Sequence, residues 1–101
     1  MARILIVEDE LNFCNALASS LRVEGHAVLC AADGEEALRF LRAEPPDLAI
    51  LDLMLPKANG KDLIAFVRTN PDLAHLPIVV VTATTLASVE EELRPFVQRR
   101  G

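Results

Sequence analysis

Unbroken apolar runs alternate along this chain with stretches in which apolar residues recur at helical spacing. The unbroken runs are Ile4-Leu5-Ile6-Val7, the weaker Ala27-Val28-Leu29-Cys30, Leu48-Ala49-Ile50-Leu51 and Ile78-Val79-Val80-Val81. Apolar side chains that run together rather than alternate predict strands covered on both faces, as in a parallel sheet. The predicted strands are Arg3–Val7, Ala27–Cys30, Asp47–Leu51 and Pro77–Thr82, the second short enough for an edge. Leu11, Cys14, Leu17, Ala18 and Leu21 make one face of a helix over Leu11–Glu24, which Gly25 stops. Asp33-Gly34-Glu35-Glu36 opens a second helix with acids in its first turn, Ala37, Leu38 and Leu41 face inward, and Pro45-Pro46 closes it. A third helix over Lys61–Thr69 turns Leu63, Ile64 and Val67 to one side and breaks at Asn70-Pro71-Asp72. Leu86, Val89, Leu93 and Val97 keep a helical face in the last segment, where Ser88 and Glu91 have capping-box spacing and Pro95 predicts a kink.

Strands alternating with helices imply right-handed crossovers and a doubly wound parallel α/β sheet, read as a single domain over residues 1–101. In such sheets ligands bind beyond the carboxyl ends of the strands. There the first strand delivers Glu8 and Asp9, the third Asp52 and the fourth Thr82. Three carboxylates gathered at one edge repel one another, so the set asks for a hard cation such as Mg²⁺. Phosphoryl transfer needs mainly positioning and charge stabilisation. Asp52, the central acid, is the natural nucleophile and would give an acyl phosphate. The Thr82 hydroxyl and backbone N–H groups of the Leu53–Met54 turn are candidate contacts to the phosphoryl oxygens.

The 101 residues carry a formal charge of −5, and the four aromatics are all Phe. That composition excludes a base-stacking platform and makes direct nucleic-acid binding unfavourable. Arg94, Arg99 and Arg100 are interleaved with Glu90, Glu91 and Glu92 and read as a solvated helix face. Cys14 and Cys30 read as two buried reduced thiols, without the spacing of a disulfide framework or metal site. The start has no signal-peptide layout, and Leu73–Val89 contains His75, Pro77 and several threonines, so no span is expected. The expected setting is soluble and cytoplasmic. Asp33 and Asp47 read as local caps, Glu10 as first-turn charge without a role, His26 as partly exposed and His75 as a loop residue. There is no dinucleotide fingerprint and no Walker loop. A dehalogenase-type phosphatase would need a second Asp two residues after Asp52, where Met54 stands.

Ile4-Leu5-Ile6-Val7-Glu8-Asp9-Glu10, Ala32-Asp33-Gly34-Glu35-Glu36-Ala37-Leu38, Pro46 through Pro56 around Asp52, Asn59-Gly60 and Pro77-Ile78-Val79-Val80-Val81-Thr82-Ala83 follow in order. In these pieces the chain resembles the receiver domain of bacterial two-component response regulators. The resemblance implies a flavodoxin-like sheet of order 2-1-3-4. It implies that Asp52 is phosphorylated by a sensor histidine kinase or a phosphotransfer protein in a reaction that uses Mg²⁺ or Mn²⁺. Asp9 matches the direct metal ligand, Glu8 the acid that reaches the metal through water, and Met54 the backbone carbonyl ligand. Thr82 matches the switch hydroxyl and Ala83 the small residue beside the site. Met54 and Thr84 match positions whose side chains tune the lifetime of the phosphorylated state. Such a domain is a phosphoacceptor rather than an enzyme, assisting only its own phosphoryl transfer and hydrolysis. It switches the binding of an output protein, a fused effector domain or a second copy, without contacting nucleic acid or membrane itself.

Receivers also have a fifth strand, opened by a lysine that contacts the phosphoryl group, and a fifth helix. This sequence ends at Gly101, about where that strand would begin, and no residue matches the lysine. Lys57 and Lys61 read as solvated loop lysines. The expectation is a receiver incomplete at its C-terminus: a fragment, a dimer that pairs or exchanges elements, or a degenerate scaffold. The alternative function is a phosphorylation-independent interaction module.

Overall fold

β1 (Arg3–Val7) is the inner strand around which the sheet is assembled. β2 (Ala27–Ala31) pairs with it in parallel on one side and β3 (Leu48–Asp52) on the other. β4 (Ile78–Val81) pairs in parallel with β3 and completes the order β2-β1-β3-β4. The computed structural model describes residues 2–52 and 60–81, with Ala87, Ser88, Glu91, Arg94 and Pro95 of the last segment, but not the side chains of residues 52, 61 and 62. The doubly wound sheet and its strand order are those expected.

Alternate residues of the apolar runs feed two cores. Ile4, Ile6, Val28, Leu48, Ile50 and Val81 meet Cys14, Leu17, Ala18 and Leu21 of α1 (Leu11–Val23) on one face. Leu5, Val7, Ala31, Ala49 and Leu51 meet Ala37 and Leu41 of α2 (Gly34–Ala43) and Leu63 and Val67 of α3 (Gly60–Thr69) on the other. Burial on both faces is why the runs do not alternate. Leu11 departs from the expected helical face: at the first position of α1 it overhangs the core and is 64% exposed.

Local chemistry sets the helix ends. The Glu10 carboxylate accepts the Phe13 N–H at 2.8 Å and caps α1. The Asp33 carboxylate accepts the Glu36 N–H at 2.9 Å, and Glu36 reaches back to the Ala32 N–H at 2.7 Å. At the end of α1 the Gly25 N–H donates to Arg22 and the His26 N–H to Leu21, with Gly25 at φ 96°. This pair of bonds closed by a left-handed glycine satisfies carbonyls that the helix leaves open. Arg68 of α3 donates to the carbonyls of Ala74 and Leu76 and fixes the approach to β4. Arg42 of α2 lies over the Phe66 ring of α3, 5.3 Å from its centroid.

Three local expectations are corrected. Asp47 is not a local cap: its carboxylate accepts the Arg3 N–H at 2.8 Å and its own N–H donates to the Arg3 carbonyl at 2.7 Å, tying the starts of β3 and β1. His26 is buried, and its Nδ1 accepts the Ala2 N–H at 3.0 Å. Ala87 and Ser88 are both helical, so Ser88 lies inside its helix rather than at the cap, and Glu91 pairs with Arg94 at 3.1 Å.

Candidate functional site

Parallel pairing sends the carboxyl ends of all four strands to one edge. Val7 is in register with Leu51, so the next positions, Glu8 and Asp52, follow side by side on neighbouring inner strands. Asp52 is in register with Val81, the residue before Thr82. Glu8 is anchored through its backbone: its N–H donates to the Ala31 carbonyl at 2.9 Å, continuing the β1–β2 pairing past the end of β1.

The three consecutive acids take different places. Glu8 is half-buried, and its carboxylate accepts the Glu10 N–H at 3.0 Å, which folds the loop tightly over the strand end. Asp9 is exposed. Glu10 is turned toward α1 as its cap, so its carboxylate is committed to the helix rather than the strand edge. The positive end of the α1 dipole lies at this loop and favours anionic groups there.

The structure thus brings Glu8, Asp9 and the backbone of Asp52 to one edge. Met54, Thr82, Ala83 and Thr84 lie outside the described residues. Among the described residues no three His, Cys, Asp or Glu side chains form a metal-binding group. A third carboxylate beside Glu8 and Asp9 would be that of Asp52, whose side chain is not among them. Carboxylate oxygens are hard, the chemistry suited to Mg²⁺ or Mn²⁺ rather than to a thiolate-seeking metal. Among the described residues no helix is long and apolar enough to cross a membrane.

The two cysteines correct another expectation. Cys14 is buried and Cys30 half-buried, but they are not separate thiols: the structure joins them as a disulfide, with Cα atoms 6.4 Å apart. The sequence signal for the pair is positional. Cys14 lies on the inner face of the first helix and Cys30 on the adjacent edge strand.

A doubly wound parallel sheet with acids beyond its inner strands fits the receiver architecture that the sequence resembles, and comparison with known proteins shows the family. The response regulator receiver domain family matches residues 4–94. A DNA-binding response regulator, MtrA of Mycolicibacterium paratuberculosis, is 41% identical over 83 residues, 82% of this chain and 36% of that protein. The chemotaxis response regulator CheY4 of Vibrio cholerae superposes with a TM-score of 0.78 at 28% identity, over 94% of this chain and 79% of that one. The Mn²⁺-bound form of the response regulator Rcp1 gives 0.71 at 30% identity, over 96% and 77%. The chain spans about a third of the length of the curated relatives it matches. It belongs to the response regulator receiver domain family.

Proposed function

We propose that this chain is a phosphorylation-dependent switch in which Asp52 accepts a phosphoryl group from a histidine on a sensor kinase or phosphotransfer protein. The observation that carries the reading is the β1–β3 register, which sets Asp52 beside Glu8 at the ligand-binding edge of a receiver sheet. A carboxylate oxygen of Asp52 attacks phosphorus as the P–N bond breaks, and the bonding electron pair leaves with the imidazole nitrogen. The product is an acyl phosphate on Asp52. Asp9 and Asp52 would hold a Mg²⁺ or Mn²⁺ ion, with Glu8 reaching it through water and the backbone carbonyl of Met54 as a further ligand. The ion would supply charge neutralisation for the phosphoryl oxygens. The Thr82 hydroxyl would be the switch contact to the phosphoryl group, with Ala83 as the small residue beside the site.

The domain acts as a phosphoacceptor in the cytoplasm, and its output is altered binding of an effector domain, a separate partner or a second copy. That MtrA is named a DNA-binding response regulator supports a transcriptional output supplied outside the receiver. The Mn²⁺-bound form of Rcp1 supports the use of a divalent cation.

The test is intact mass after incubation with acetyl phosphate and Mg²⁺. A gain of one phosphoryl group is expected, lost in Asp52→Asn and on chelation with EDTA. A folded protein that gains nothing, or gains equally in Asp52→Asn, would overturn the reading in favour of a phosphorylation-independent interaction module.

A further inference from the structure

The geometry points to Cys14 and Cys30 as a reversible redox modification site, in which a disulfide opens and closes between α1 and β2. Their Cα separation of 6.4 Å lies within the range a disulfide spans without backbone movement. The same arrangement accommodates the open state: Cys30 Sγ lies 3.6 Å from the Cys14 carbonyl oxygen, an acceptor for the Cys30 S–H. The two residues differ in exposure. Cys14 is 1% exposed, whereas Cys30 is half-buried on an edge strand. Cys30 is therefore the attacking thiol and Cys14 the resolving one.

Closure proceeds by exchange with a low-molecular-weight disulfide such as oxidised glutathione. The Cys30 thiolate attacks one glutathione sulfur, the glutathione S–S bond breaks, and one glutathione thiolate leaves. The Cys14 thiolate then attacks Cys30 Sγ of the mixed disulfide and expels the second. One S–S bond is lost and one gained, two electrons pass to glutathione, and the two cysteine protons end on the released thiols. The crosslink spans the backbone bonds on either side of the acidic loop. Cys14 donates its N–H to the Glu10 carbonyl, and the residue after Cys30, Ala31, accepts the Glu8 N–H. Closure thus clamps the Glu8–Glu10 loop between helix and strand, whether or not Asp52 is phosphorylated.

The experiment is equilibration of the 101-residue chain in reduced and oxidised glutathione mixtures, followed by acid quenching, alkylation and intact mass. Expected is a monomer two hydrogens lighter at oxidising ratios, reopened by dithiothreitol under native conditions. Its unfolding midpoint should rise by roughly 12–24 °C on closure of this 16-residue separation. Cys14→Ala should retain one glutathione on Cys30, and Cys30→Ala should acquire none. Failure to close, closure between chains, or a bond that native dithiothreitol does not open would overturn the proposal. Glutathione captured on Cys14 in Cys30→Ala would overturn the order of attack.

Discussion

Gly25→Ala isolates a conformational cost from a steric one. Gly25 sits at φ 96°, and no other described residue has a positive φ. A methyl group built there meets no atom within 4 Å, so the substitution creates no clash. What remains is the penalty of holding an L-residue in left-handed backbone, about 1–2 kcal/mol. The narrower freedom of alanine in the unfolded chain offsets about 0.4–1 kcal/mol of that. A net loss of about 1 kcal/mol follows, which for a domain of this size lowers the melting temperature by roughly 4–8 °C. Gly25→Asn should lose less, because asparagine tolerates left-handed backbone better than alanine. Thermal unfolding by circular dichroism, run on all three proteins under reducing conditions, reads both differences. A Gly25→Ala protein as stable as the parent, or a Gly25→Asn protein less stable than Gly25→Ala, would refute the argument.

Further substitutions test other parts of the structure. Leu17→Ala, which empties a site 1% exposed in the α1 core, should cost about 2–5 kcal/mol in urea unfolding. Asp33→Ala removes the acceptor for the Glu36 N–H and should cost about 1 kcal/mol by the same measurement. Asp47→Ala should cost roughly 1 kcal/mol, because the Arg3 N–H loses its carboxylate while the backbone bond from Asp47 to Arg3 survives. Asp9→Asn, altering an exposed side chain, should leave the melting temperature nearly unchanged. It should reduce Mg²⁺-dependent phosphorylation by acetyl phosphate by at least about an order of magnitude. Unchanged phosphorylation would remove Asp9 from the metal site.

The fold was legible because every inner strand is buried on both faces, and that condition writes itself into the chain as unbroken runs. Helix stops were equally readable where one residue type serves one backbone need, as Gly25 does. Reading failed where a residue acts across the fold rather than within its own segment. Asp47 looked like a turn acid, but its partner is Arg3, 44 positions away. His26 looked exposed because nothing local shows that Ala2 will donate to it. Glu10, assigned no role, is the cap of α1, and its position immediately before the helix was the available signal. The strand-end acids were readable as a set because parallel pairing sends every carboxyl terminus to the same edge. Their register, which makes Glu8 and Asp52 neighbours, came only from the pairing.

β1 is flanked by a strand on each side, and Ile4, Leu5, Ile6 and Val7 are all buried. Glu8 and Asp9 are therefore mounted on the part of the sheet with least room to shift. β4 has the opposite character: among the described strands it pairs only with β3, and Val80 is 37% exposed. The end of β1 is the fixed jaw of this edge, held from both sides. A ligand drawn in against the acids meets an anchored wall on the β1 side.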